Sequence, residues 1–369
     1  MRILYLCTYY ERAMIFRDAM NGLEKRGHSV LAFNAVVKGR TIEEKYLPIM
    51  DEKVIHKECF TKYDRLCFPV KQKKFQNALE QNVNVKEFDL IHSHTLFNGG
   101  WVAYQIHKKY GIPYIVSVRD TDLNAFLRFP GFKKYAVKIA ENASGILFLS
   151  ASYRIRFADL CFKGADKERI LNKSVVIPNG LEPFWIENIS EAKSTVHDPL
   201  ELLYVGRVDK VKNIETTVKV LNRLNEEGTA AHLTVIGKIN YPSAEALLTS
   251  NQNITTIPFS KKEELIKHYK NADVFIMPSL RETFGRVYIE SITQGTPVVY
   301  TRGEGFDKLF PDGTVGYSAD PKNVGEIVAA VRSIVDNYAE ISTNCVENSR
   351  MFNWDTIAEK LEKLYLSAL

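Results

Sequence analysis

Short runs of continuous apolar residues, each followed by a stretch of helical periodicity, recur along the whole chain. This alternation limits the possible folds more than any other feature. In the first half the runs are RILYLC, HSVLAF, FDLIHSH, PYIVSV, GILFLS and SVVIP; in the second they are ELLYVG, HLTVIG, ITTIP, DVFIMP, TPVVYT and VGYSA. Most are unbroken Val, Ile, Leu and Phe, which is the pattern of parallel strands covered on both faces. Strands alternating with helices imply βαβ units, so the expected fold class is α/β with doubly wound, Rossmann-like sheets. Helix boundaries are legible in places. Ile15 to Lys25 ends at Arg26-Gly27, and Ile214, Val218, Leu221 and Leu224 share one face of a helix with Asn213 as its expected N-cap and Gly228 as its stop.

At ~100–200 residues per domain, 369 residues suggest two domains. The boundary is placed at IPNGLEPFW, residues 177–185, where a Pro-Asn-Gly turn follows a strand and a polar segment leads to the next one. This gives an N-terminal Rossmann-like domain over 1–178 and a C-terminal one over 179–352. Ligands of doubly wound sheets bind outside the carboxyl ends of the strands, so two such domains facing a cleft would place a small-molecule site there.

Bulk composition excludes several classes. A net charge of +5 is too weak to argue for nucleic acid, and none is expected as a partner. Five cysteines with no CxxC pair suggest reduced thiols and no metal site. The opening MRILYLCTYYERAM looks like a first strand rather than a signal peptide, and no run approaches the ~20 apolar residues of a spanning helix. A cytoplasmic protein is expected.

Two stretches of the second half carry chemistry. In LLYVGRVDKVKN a strand ends at Gly206, and Arg207 and Lys212 lie in the loop before a helix. Cations beside a helix N-terminus make a seat for a diphosphate; two solvated surface cations is the competing reading. Neither GxxxxGK[ST] nor GxGxxG is present, so this is neither a P-loop nor the dinucleotide fingerprint. In SLRETFGRVYIESITQGTPVV, Glu282 is expected in a loop and Glu290 near the start of a helix, with Gly285 letting the backbone approach a ligand. Such acids can bind sugar and ribose hydroxyls; helix-dipole stabilisation and a surface loop charge are the alternatives.

The Glu282–Glu290 stretch resembles the E-x7-E signature of retaining glycosyltransferases of family 4, which have the GT-B fold. FDLIHSHTLFNGGWVAYQIHKKYGIPYIVSVRDTD, SVVIPNGLE, VGRVDKVKN and FNWDTIAEKLEKLY resemble other blocks of that family, in the same order. The resemblance implies that Arg207 and Lys212 hold the donor pyrophosphate, with Gly206 in the same loop, and that Glu282 contacts the donor sugar. It places backbone groups of Thr283, Phe284, Gly285 and Arg286 against sugar or phosphate, Glu290 on the ribose and Phe259 near the base. It also implies a terminal helix, 353–369, crossing back to the N-terminal domain. The implied activity is metal-independent hexosyl transfer, with retention, from UDP- or GDP-sugar to a glycan or lipid-linked acceptor in surface polysaccharide or glycoconjugate synthesis. The nucleotide-sugar is a co-substrate, and no tightly bound cofactor is expected.

The chain departs from the family pattern in two places. Arg119 of VRDTD stands where the family has histidine, with Asp122 as the matching acid able to orient it. Arginine cannot switch protonation near neutral pH. After the first strand, Thr8 to Ala13 replace a Gly-Gly loop, and Arg12 or Arg17 could supply charge there. A nucleotide-sugar-binding protein without catalysis and a GT-B-fold epimerase are the alternative functions. His92 and His94 are expected at a strand end rather than on a metal. Lys71, Lys73 and Lys74, and Arg128, Lys133, Lys134 and Lys138 among aromatics, suit peripheral binding to the inner face of an anionic membrane; solvated helix faces are the commoner reason for such runs.

Overall fold

The computed structural model describes residues 1–369, the side chain of Arg65 excepted. The chain forms two compact units, one of residues Met1–Gly180 with Trp354–Leu369 and one of Leu181–Asn353.

The first unit holds a seven-stranded sheet: β1 (Arg2–Cys7), β2 (Ser29–Val37), β3 (Val54–Phe60), β4 (Leu90–Ser93), β5 (Tyr114–Val118), β6 (Gly145–Phe148) and β7 (Ser174–Val176). Its spatial order is β3-β2-β1-β4-β5-β6-β7. Each adjacent pair is parallel, with Leu4 of β1 opposite Leu31 on one side and Ile91 on the other. The strands from β4 to β6 are buried along their whole length, as their continuous apolar runs require. The edge strand β3 does not appear among the apolar runs of the sequence. Its residues VIHKECF are mostly half-buried or exposed, so the buried-strand signal is absent there.

The terminal helix Trp354–Leu366 is part of this unit and packs against the helix Ile15–Lys25. The two approach closely at Gly22, where a Cβ would lie 2.8 Å from the Cβ of Ala358. Tyr365 at its far end is buried and hydrogen-bonded to the Tyr5 hydroxyl at 3.0 Å and to His92 Nδ1 at 2.6 Å.

The second unit holds a six-stranded sheet: β8 (Leu200–Val205), β9 (Ala231–Ile236), β10 (Ile254–Ile257), β11 (Val274–Ile276), β12 (Val298–Thr301) and β13 (Gly316–Ala319). The order is β10-β9-β8-β11-β12-β13, again parallel throughout. In each unit the first strand lies between the second and the fourth in chain order. The crossovers change direction there, and a crevice opens at the carboxyl ends of β1 and β4, and of β8 and β11. The helix Ile214–Glu226 buries Ile214, Val218, Leu221 and Leu224 as its periodicity predicts. Asn213 is not a side-chain cap. It adopts φ 58°, and its amide donates to the carbonyls of Pro278 at 2.9 Å and Pro321 at 2.7 Å, tying the helix start to the segments after β11 and β13. No described helix is long and apolar enough to cross a membrane.

Candidate functional site

The crevice of the second unit is built from two loops. The first follows β8. After Gly206 the chain turns so that the Asp209 carboxylate accepts the backbone N–H groups of Val211 (3.0 Å) and Lys212 (3.1 Å). The second loop follows β11, and Leu280 N–H donates to the Val211 carbonyl at 2.7 Å, so the two backbones run side by side. On this frame the Lys212 ammonium meets the Glu282 carboxylate in an ion pair whose partners are largely buried. Residues 70 positions apart are thus joined across the strand-order reversal.

A third loop supports Glu282 from behind. Glu304 Oε2 accepts the Glu282 N–H at 2.9 Å, and Gly305 N–H donates to the Glu282 carbonyl at 2.8 Å. A Cβ on Gly305 would lie 2.1 Å from the Thr283 carbonyl oxygen, so this approach requires glycine. Sequence reasoning did not find this support; the signal was Gly303-Glu304-Gly305 directly after an apolar strand.

Gly285 then opens the helix Arg286–Thr293 at φ 76°. The first-turn N–H groups of such a helix have no partner within it. Thr283 and Arg286 are exposed and can meet a ligand, whereas the Phe284 ring is buried and packs toward Phe352 at 6.4 Å. Phe284 therefore offers its backbone, and its side chain belongs to the core. Glu290 is the fifth residue of this helix, near its start, and is 9% exposed. Burial pushes its carboxyl above the ordinary range, opposed by the nearby Arg286 charge and a 3.3 Å hydrogen bond from the Tyr269 hydroxyl. Arg207 projects outward, 74% exposed on its side chain, with Asp209 at 3.5 Å. Phe259 is 79% exposed and is not gathered to the other residues by any contact described.

Arg119 and Asp122 belong to the first unit, after β5. The Asp122 carboxylate does not pair with the Arg119 guanidinium, which corrects the expected orienting role. It accepts backbone N–H groups from Arg119 (2.9 Å), Leu96 (3.0 Å) and Phe97 (3.2 Å), fixing the loop after β4 to the loop after β5. Burial raises the Asp122 pKa from 3.8 to about 6, against the pull of those three donors and of the Arg119 charge. A folded pKa above the unfolded one means that this carboxyl adds stability below pH 4, which is lost as pH rises through about 6. Two pKa units correspond to about 3 kcal/mol. Thermal melts of Asp122→Asn between pH 4 and 7 are expected to lack this component of the wild-type pH dependence; parallel wild-type and variant curves would contradict it.

His92 and His94 lie at the end of β4, and the described residues contain no cluster of three or more potential metal-ligating side chains. In the basic stretches, Lys71 is hydrogen-bonded to Asn98 at 2.7 Å and Lys74 is paired with Asp64 at 2.6 Å. Phe126 and Phe132 pack against Phe97, leaving Phe129 exposed.

Comparison with known proteins agrees with this geometry. A family model described as glycosyl transferases group 1 matches residues 186–352, and one described as Glycosyltransferase Family 4 matches residues 14–183. A glycogen synthase of Mycobacterium tuberculosis is 25% identical over 308 residues, covering 76% of this chain and 69% of that protein. A D-inositol 3-phosphate glycosyltransferase of Catenulispora acidiphila is 27% identical over 312 residues, covering 75% and 70%. Among solved structures, HepE of Anabaena in complex with UDP superposes with a TM-score of 0.73 at 16% identity, and the lipopolysaccharide outer core galactosyltransferase WaaB with 0.77 at 15%, each over 100% of both chains. With each half matched by its own family model and two parallel Rossmann-like sheets in sequence, the chain belongs to the group 1 glycosyltransferases of the GT-B fold.

Proposed function

We propose that the protein is a retaining, metal-independent hexosyltransferase that moves a sugar from a UDP- or GDP-sugar to a hydroxyl of a glycan or lipid-linked acceptor. The observation that carries this reading is the Lys212–Glu282 pair at the strand-order reversal of the second unit. Lys212 and the exposed Arg207 neutralise the departing nucleoside diphosphate. When donor enters, its phosphates take Lys212, and Glu282 is released to accept hydrogen bonds from sugar hydroxyls. Glu290 takes the ribose, and the backbone from Thr283 to Arg286 lies against sugar or phosphate. The bond from the anomeric carbon to the phosphate oxygen breaks. The acceptor oxygen bonds to that carbon on the same face, and its proton passes to the leaving phosphate. Arg119 of the first unit contributes fixed positive charge where the family pattern has histidine. Work on a polysaccharide or glycoconjugate at the cytoplasmic face of a membrane fits these substrates.

The relatives solved with UDP and UDP-glucose support UDP as the first donor nucleotide to test. Thermal melts with UDP, GDP, ADP and their sugars are expected to show one nucleotide raising the melting temperature above the rest, since ligand bound to the native state stabilises by mass action. Transfer by Glu282→Gln should fall at least tenfold and be insensitive to a chelator. Wild-type transfer by this variant would remove Glu282 from the mechanism.

A further inference from the structure

The first unit contains a pocket at the carboxyl ends of its central strands, lined by Arg119, His94, Ser117, Phe16, Ile177 and Trp354 among others, with a cavity of about 30 Å³, room for a small oxyanion group rather than a whole sugar. Its polar groups are unusual in what they lack. Arg119 is 8% exposed, and its Nε–H donates to the His94 carbonyl at 3.2 Å. Its guanidinium has no carboxylate partner among the described residues, because Asp122 is occupied by backbone N–H groups. Arginine stays charged under all ordinary conditions, and a buried charge without a counter-ion is strongly disfavoured.

Two further buried groups stand unpartnered beside it. Neither ring nitrogen of His94 has a hydrogen-bond partner, and neither has the Trp354 indole Nε1. His94 is enclosed by the rings of Tyr5 at 4.3 Å, Phe16 at 4.8 Å and His92 at 4.2 Å. Burial, His92 and Arg119 all hold its pKa well below the usual value, so it is neutral and presents one N–H. His92, by contrast, is fully engaged, with Tyr365 at 2.6 Å and Ser117 at 2.9 Å. Trp354 is held in place by Gly180, where a Cβ would lie 2.5 Å from the indole ring. A cation without a counter-ion and two residues with uncommitted N–H donors therefore line one pocket.

We propose that this pocket is an anion subsite that receives the carboxylate or phosphate of an acidic sugar. The inference rests on the glycosyltransferase reading for its sugar, and it makes one of the two substrates negatively charged. The charge can reside on the donor sugar, as a uronate, or on the acceptor, as a uronate or sugar phosphate; the shared chemistry is an oxyanion matched to a guanidinium and neutral N–H donors.

The test compares pairs differing in charge on the full chain. Hydrolysis of UDP-glucuronate against UDP-glucose reads the donor. Binding of glucuronate or glucose 6-phosphate against glucose, with UDP present, reads the acceptor. The charged member of at least one pair is expected to win by about 10–100-fold, the scale of a charge-assisted hydrogen bond. Arg119→Gln should collapse that ratio to near one, Arg119→Lys should keep part of it, and Trp354→Phe, which retains the packing, should reduce it several-fold. Ratios near one in every pair overturn the proposal, as does a preference that survives Arg119→Gln. UDP stabilisation that depends on Lys212 monitors the glycosyltransferase site separately. Its absence, with a charged-over-neutral preference intact, would sink the transferase reading and leave the anion subsite standing.

Discussion

Replacing Lys212 with alanine is expected to lower kcat about 10²–10³-fold, the scale seen when one preorganised donor to a developing negative charge is removed. The leaving nucleoside diphosphate gains charge as the glycosidic bond breaks, and Lys212 is the cation that the second unit holds in the crevice by structure rather than by chance. Its backbone is fixed by Asp209, and its ammonium is guided by Glu282. Arg207 is too exposed to substitute for it. The variant also removes the Lys212 ion pair from Glu282, whose side chain is 13% exposed, so stability should fall by about 1–3 kcal/mol. The double variant Lys212→Ala/Glu282→Gln separates the two effects. With the charge of Glu282 removed as well, part of the melting temperature should recover, whereas kcat should not. A wild-type kcat in Lys212→Ala, or recovery of both quantities in the double variant, would mean that the pair is structural.

Parallel strands declare themselves where burial on both faces makes them apolar, as in β6, β11 and β12, each buried along its whole length. The edge strand β3 does not. Its side chains His56, Lys57 and Glu58 are polar, and it is held by backbone pairing to β2, a force that leaves no mark on composition. The same limit applied to Asn213. Its place before an apolar periodic helix reads as a cap, but its left-handed backbone and its bonds to Pro278 and Pro321 depend on residues 65 and 108 positions away.

The candidate site was legible in its residue types and not in its pairings. Lys212 and Glu282 could be named separately from loop position, yet their contact, and the Glu304–Gly305 support behind Glu282, exist because β8, β11 and β12 are neighbours in the sheet. Spacing put Glu290 near the helix start, but did not reveal its neighbour: past the left-handed Gly285 it lies within hydrogen-bond reach of the Tyr269 hydroxyl. Asp122 was read as a partner of the Arg119 side chain because acids near arginines usually are. The structure uses it for three backbone donors, a choice that only the approach of the loop after β4 explains.

Gly285→Ala should destabilise the second unit by about 2–5 kcal/mol through two separable terms. An L-residue at φ 76° costs roughly 1–2 kcal/mol for its backbone alone. The added Cβ would also lie 2.2 Å from the Tyr288 ring. That ring cannot swing aside cheaply. Tyr288 is buried, its hydroxyl donates to the Met277 carbonyl at 2.6 Å, and its ring packs on Phe275 at 5.5 Å and Phe306 at 5.0 Å. Overpacking of this kind adds about 1–3 kcal/mol. At ~2–4 °C per kcal/mol for a unit of this size, the transition assigned to residues 181–353 should fall by roughly 10 °C. Gly111→Ala is the internal control. Gly111 has the same φ of 76° but nothing within 4 Å of its Cβ position, so it carries the backbone term without the clash. Calorimetry should therefore show Gly285→Ala costing at least twice what Gly111→Ala does. Equal losses would mean that Tyr288 yields, and that the Glu282-to-helix junction is softer than its packing implies.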